Sequence, residues 1–280
     1  MPRISIGRDS LPLVIVFSLF IVALLIFAGF FGPYLPLHDP YAQNLMRSLE
    51  MPSSKHWFGT DQFGRDQFSR IVAGARFTLL IGVGAVGFGL LVGALFGLLA
   101  GYFGRWIDAI FSRVIDVMLA FPAVILALAV VAVAGPGLGS LILAVGIRSI
   151  PVFGRLSRGQ TLALREQEFV QSARAIGCSS GRILLRHIFP NLAQSLMIVG
   201  TLQLATAILI GATLTFLGVG MSPEIPEWGS MLNAGRPFML QHPQLVLVPG
   251  FTLMLVMTAL NLVGDYLRDR FDPRLRIGYH

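Results

Sequence analysis

The chain has 280 residues, of which 55% are hydrophobic and only 12% charged. A soluble domain carries about 25% charged residues, so this composition excludes an ordinary water-soluble fold. The formal charge of +7 belongs with membrane orientation, where excess Lys and Arg mark the inner side, and not with nucleic-acid binding.

The first uncharged run, 11–31, is long enough to cross a bilayer, which takes about 20 apolar residues. Arg3 and Arg8 precede it, but its apolar core exceeds that of a cleavable signal and no small-x-small site follows. It is expected to stay as a first span. A polar segment, 32–76, comes next. Within it "GTDQFGRDQFSRIVAGAR" predicts an amphipathic helix on the membrane surface. Thr60 or Asp61 would cap it, and Asp61, Arg65, Asp66 and Arg70 would form a local ion-pair network.

The second run, 77–104, places Gly89, Gly93, Gly97 and Gly101 four residues apart on one helix face. Such a face lets two backbones approach closely, either inside this subunit or against a partner. The run 117–147 is too long for one span and is broken by "AGPGLGS" at 134–140. It reads as two spans, 117–134 and 138–157. Arg148 lies deep in the second of these, where an unpaired cation is costly. Two readings stay open for it: pairing with Asp116 or reaching the headgroups, and lining a pore to meet a carboxylate.

The segment 165–191 is polar and basic between two apolar runs. Phe169, Ser172, Ala173 and Ile176 recur at helical spacing, Gly177 suits the end of that helix, and Ile183, Leu184, Ile188 and Phe189 form a second stripe opposed by Arg182 and Arg186. This helix-turn-helix either docks on another protein or lies on lipid headgroups. Pro190 ends it or opens the next span. The last runs, 192–223 and 243–264, bring the expectation to six spans, all α. Between them Trp228 sits on a loop, placed to plug a pore mouth or touch a solute.

With the N-terminus in the cytoplasm, the outer segments hold only Arg47, Lys55, Arg65, Arg70, Arg76 and Arg236 of the 21 Lys and Arg. That bias favours N-in and C-in, although the long loop 32–76 carries five of those outer cations. Cys178 is the single cysteine, so no disulfide forms within the chain. No G-x-x-x-x-G-K-[ST] phosphate loop, metal-ligand spacing or nucleophile–base pair is present, so no cofactor, metal or catalytic site is expected. His38, His56 and His242 read as solvated loop residues.

Several motifs resemble the permease subunits of bacterial ATP-binding cassette importers. Residues 168–191 resemble their cytoplasmic EAA loop, with Ala173, Gly177 and Pro190 matching the broad pattern. Gln171, Ser172, His187 and Phe189 depart from it. The dipeptide/oligopeptide/nickel branch is more similar. "HWFGTDQFGRDQFSR" (56–70), "EFVQSARAIG" (168–177), "RHIFPN" (186–191), "EWGSMLNAGR" (227–236) and "NLVGDYLRDRFDPRLR" (261–276) follow its signatures in order.

The resemblance implies the type I importer permease fold in a bacterial inner membrane. Residues 1–76 would form the first span and outer loop, and 77–280 the core. The 165–191 loop would couple to an ATPase through Glu168, Gln171, Ser172, Ala173, Arg174, Gly177, Cys178, Arg182, Arg186 and Pro190. The implied partners are a homologous permease, two ATPase subunits that hold the ATP and Mg, an extracytoplasmic solute-binding protein and membrane lipid. The implied cargo is a di- or oligopeptide, or alternatively nickel, glutathione or another small solute. A rival class, an ion-gradient transporter, would carry paired ionisable residues in its spans and an internal repeat. Arg148 and Asp116 are the only candidates for such a pair, and no repeat is found.

Overall fold

The computed structural model describes residues 12–271. Arg3, Arg8 and the end of the last motif, 272–276, lie outside the described residues. Helices α1 (Leu13–Phe31), α2 (Gln67–Phe103), α3 (Arg105–Ala120), α4 (Ala123–Ala134) and α5 (Leu138–Leu164) come first. They are followed by α6 (Glu168–Ala175), α7 (Ser180–Phe216), α8 (Trp228–Gly235) and α9 (Gln244–Phe271). Among the described residues there is no strand.

Five helices, α1, α2, α5, α7 and α9, are long and apolar enough to cross a membrane. The expected third span, 117–134, is not one helix. Pro122 interrupts it: a residue before proline is driven out of the helical region, and Phe121 is extended at φ −93°, ψ 137°. Helices α3 and α4 therefore meet at 98°.

The packing of α2 on α5 fixes what that bent pair does. A Cβ added at Gly89 would meet Gly146 and Ser149, one at Gly93 would meet Ile150 and Gly154, and one at Gly101 would meet Arg158 and Thr161. Both helices advance in the same direction, so they are parallel. The chain must travel back along their length between Phe103 and Leu138, and α3 with α4 makes that return. The pair counts at most as one broken crossing, which gives five or six in all.

Helix α2 is the central element. Its 37 residues rise about 55 Å at 1.5 Å each, more than a bilayer core needs. One apolar core lies between α2, α4, α5, α6 and α7, around Phe153, Ile183, Ile188 and Leu214. A second lies between α1, α2, α7, α8 and α9, around Ala205, Trp228 and Leu253. The surface-helix reading of 59–76 is corrected in its first half: residues 56–66 form an irregular loop, and the helix begins only at Gln67 and runs on into the span. Asp66 is the cap, not Thr60 or Asp61. Its Oδ2 accepts from the Ser69 amide at 2.8 Å and from the Ser69 hydroxyl at 2.7 Å, filling donors that a helix start leaves open.

Candidate functional site

The segment 165–191 folds as a short helix, a tight turn and the foot of a long helix. Val170 and Ala173 are buried and hold α6 against the body. The sequence stripe named Phe169, Ser172 and Ile176 as partners of Ala173, but these three are exposed, Ile176 by 81%. Of the expected stripe only Ala173 faces the body, and Val170, one turn before it, takes the place of Phe169. Gly177 has φ +85°. Its amide donates to Arg174 O at 3.0 Å, and the Cys178 amide donates to Ala173 O at 3.0 Å. This pair of reversed bonds is the Schellman end of a helix, which favours glycine because a side chain is strained at positive φ. No neighbouring atom lies within 4 Å of a Cβ placed on Gly177, so the constraint there is conformational and not spatial.

The loop is tied down by side chains. Arg165 Nη1 donates to Gly101 O at 2.9 Å, and Gln171 Nε2 donates to Glu166 O at 3.0 Å. The Arg174 guanidinium lies 5.7 Å from the centre of the Tyr102 ring. Glu168, Ser172, Arg182 and Arg186 remain exposed, and Cys178 is half-buried. Ser179 starts α7 by accepting from the Arg182 amide at 3.4 Å.

Pro190 does not end the element. It opens the α-helical stretch Phe189–Phe216 of α7, which follows directly on the π-helical turn Ile183–Ile188. Proline has no amide hydrogen, so the Arg186 carbonyl loses its ordinary helical donor. The wider turn is already set upstream, where the Phe189 amide bonds Leu184 O, five residues back. The Asn191 side chain donates to His187 O at 2.6 Å. The result is one uninterrupted rod from Ser180 to Phe216, starting twelve residues before the expected span.

At the opposite end, the motif 56–70 locks the head of α2. Arg65 Nε pairs with Asp61 Oδ2 at 2.6 Å, and Arg70 Nε lies 3.7 Å from the same oxygen. The network expected among Asp61, Arg65, Asp66 and Arg70 is thus buried, with one exchange: Asp66 pairs with His56, not with an arginine. Arg70 also donates to Pro40 O at 3.0 Å and Glu224 O at 3.2 Å, joining the segments 32–66 and 217–243. Such a buried cation is tolerated because Asp61 offsets its charge and both terminal nitrogens find carbonyls, Nη2 reaching Pro223 O at 3.3 Å.

His56 is buried, contrary to the solvated reading. Its Nδ1 and Asp66 Oδ1 are 2.8 Å apart, and Arg47 Nη1 is 3.2 Å from its Nε2. Together with His38, these groups bring three ligand-type atoms within 4.8 Å of one another. Hydrogen bonding accounts for the His56 and Asp66 atoms, while exposed His38 meets the His56 ring only in a tilted contact at 5.0 Å between centroids. Arg47 can only donate, so Nε2 is the acceptor, the Nδ1 hydrogen goes to Asp66, and Asp66's other oxygen caps α2.

Trp228 is 2% exposed, and its Nε1 donates to Ile71 O at 3.0 Å. It fills the space beside Gly74 and is closed to a solute here. Glu227, which sequence reasoning missed, is 1% exposed and caps α8 by accepting from the Gly229 and Ser230 amides at 3.0 and 2.8 Å. Burial pushes its carboxyl up from the usual range, against the downward pull of those hydrogen bonds. Its one signal in the sequence was an acid directly before a helix-compatible "WGSM".

Arg148 lies on α5 at the level between Gly89 and Gly93 of α2, midway along the uncharged run between Arg76 and Arg105. It is half-buried. Its expected partner, Asp116, is instead 3.0 Å from Arg155. Among the described residues Arg148 has no ion pair. Asp108 holds Arg158, with Oδ2 2.8 Å from Nη2. The four glycines, by contrast, all lie against α5 of the same chain, and Ser157 Oγ donates across the seam to Ala94 O at 2.9 Å.

Parallel α2 and α5 with a broken return and a polar helix-turn at one end are the frame of a multi-span membrane protein. Residues 93–277 match the family model described as "Binding-protein-dependent transport system inner membrane component", and the chain belongs to that family. It is 46% identical over 259 residues to the dipeptide transport system permease protein DppC of Alkalihalophilus pseudofirmus, covering 92% of this chain and 85% of that one. It is 43% identical over 258 residues to the glutathione transport system permease protein GsiD of Pectobacterium atrosepticum, covering 91% and 85%. The inward-facing MetNI methionine ABC transporter has the same fold, with TM-score 0.57 and 18% identity over 72% of this chain and 97% of that one.

Proposed function

We propose that this chain forms half of the pore of an importer for di- or oligopeptides and carries ATP-driven motion into it. The carrying observation is the build of 165–191. Val170 and Ala173 anchor α6 to the body, its outer face is exposed, and the turn at Gly177 leads straight into the rod of α7. Such an element passes a push at α6 to the full length of a span. The partners are a homologous permease, two ATPase subunits holding ATP and Mg, and an extracytoplasmic solute-binding protein. Glu168, Phe169, Gln171, Ser172, Ile176, Arg182 and Arg186 form the docking face. ATP binding would close the ATPases and open the pore outward. Similarity to a dipeptide permease supports the cargo, and 43% identity to a glutathione permease keeps that tripeptide as a second reading.

Arg148 is the residue proposed to meet cargo. It is a mid-depth cation without an ion pair, and a guanidinium holds a carboxylate with two parallel hydrogen bonds. Arg148→Gln should reduce uptake of free peptides more than of C-terminally amidated ones. Equal loss on both would make it structural.

Co-purification in mild detergent tests the assembly. Two ATPases and a second permease should accompany the chain. Gly177→Val forces a β-branched residue to positive φ, and should leave ATP hydrolysis running without uptake. A chain that purifies alone and transports, or a Gly177→Val variant with normal uptake, would overturn the proposal.

A further inference from the structure

We infer that the α1–α2 seam, at the membrane edge far from 165–191, holds the headgroup of a zwitterionic aminophospholipid. Arg76 is the last cation before the uncharged run that ends at Arg105. By the pairing of Gly89 with Gly146 and Ser149, Arg76 lies beyond the start of α5. It therefore stands where α2 leaves the apolar layer. Helix α1 ends beside it: a Cβ on Gly32 would lie 3.2 Å from Val72 Cγ1. The chain then turns over this junction and leaves a cavity of 390 Å³. That volume falls within the range of small-molecule pockets, about 300–1,000 Å³.

The lining combines an apolar wall with opposite charges. Leu35, Leu37 and Phe77 supply the wall, and His38, Asp39 and Arg76 the polar groups. Arg76 is exposed, and among the described residues it has no ion pair or side-chain hydrogen bond. Asp39 accepts from the Tyr41 amide at 2.9 Å and has no ion pair either. The two therefore offer one cationic and one anionic contact in a single cavity. A phosphodiester fits Arg76 and an ammonium fits Asp39. Exposed Leu80, one turn along α2 from Arg76 and Phe77, continues the apolar surface for acyl chains. A purely anionic headgroup would meet repulsion from Asp39. A trimethylammonium group has no N–H to donate to it, so an ethanolamine headgroup fits better than a choline one.

The test is mass spectrometry of lipids retained by the intact transporter taken from nanodiscs. These contain equal amounts of dioleoyl phosphatidylethanolamine, phosphatidylcholine and phosphatidylglycerol. The wild type should retain the ethanolamine lipid above the other two. Arg76→Gln and Asp39→Asn should each lower that retention about tenfold, the loss of one charge-assisted contact. Ala73→Phe, which fills the cavity and leaves both charges, should abolish it. Thermal unfolding of each variant near the wild-type midpoint shows that the fold is intact, since all three positions are at least partly open to solvent. Equal retention of the three lipids would overturn the inference. So would a phosphatidylglycerol preference insensitive to Asp39→Asn, retention unchanged by all three substitutions, or displacement of the lipid by added dipeptide.

Discussion

Gly93→Ala adds one methyl group to the α2–α5 seam. That carbon would sit 2.6 Å from the Ile150 carbonyl oxygen and 3.0 Å from both the Gly154 nitrogen and Phe153 Cβ. Ordinary contact begins at 3.4 Å, so the shortfall approaches 1 Å, and two of the three obstacles are backbone atoms that cannot rotate away. The helices must part, and a gap of that size forfeits a quarter to a half of each dispersion contact along the seam. Overpacking of this kind costs about 1–3 kcal/mol. The smallest side chain thus suffices, and Gly93→Leu should be worse. Gly87→Ala is the control: it lies on the same helix with nothing within 4 Å of its Cβ, and Ala is the better helix former. The assay is thermal unfolding of the purified transporter, read by loss of the monodisperse peak in size-exclusion chromatography. Gly93→Ala should lower the midpoint while Gly87→Ala holds or raises it. Equal midpoints for the two variants would refute the close-packed seam.

Three further outcomes are expected. Asp66→Ala removes the α2 cap and the partner of buried His56, and should cost about 2 kcal/mol against about 1 for an exposed cap, measured by the same unfolding assay. Glu227 has a raised carboxyl pKa, so the folded chain binds that proton more tightly than the unfolded one. Stability should therefore fall as pH rises from the ordinary carboxylate range through the raised value, and a Glu227→Gln variant should show a flatter midpoint-against-pH curve over that window. With Cys178 replaced by Ser, single cysteines at exposed Ser54 and Gln241 should react with an impermeant maleimide in intact cells, while one at Ala175 should react only after lysis. The reverse pattern would invert the topology.

The sequence carried the spans well because apolar run length is a direct record of bilayer thickness. The third span failed for a local reason: hydropathy is blind to the Phe121–Pro122 break, which turns a continuous apolar run through 98°. The start of α7 failed for the opposite reason. Pro190 does open the α-helical stretch Phe189–Phe216, in whose first turn it stands, but the π turn behind it joins that stretch to Ser180. Gly177 was legible because positive φ selects glycine, and the fourfold glycine spacing was legible as a face but not as to its partner. Trp228 and His56 show the limit on the other side. Both sit in polar segments and read as open, and only the fold reveals that α2 brings Ile71 to one and Asp66 to the other. Glu227 was hidden because a buried acid has no sequence mark apart from the cap it makes.

The parallel run of α2 and α5 has an electrical consequence. In antiparallel neighbours the peptide dipoles cancel, but here they add. Both helices bring their C-terminal carbonyls to one end of the molecule, each equivalent to roughly half a negative charge. Arg165 reaches across that end to the Gly101 carbonyl at 2.9 Å, and the Arg174 guanidinium lies over the Tyr102 ring beside it. The cations that orient the chain in the membrane therefore also neutralise the stacked ends of its two most intimately packed helices. A substitution that strips charge from this end would weaken orientation and packing together.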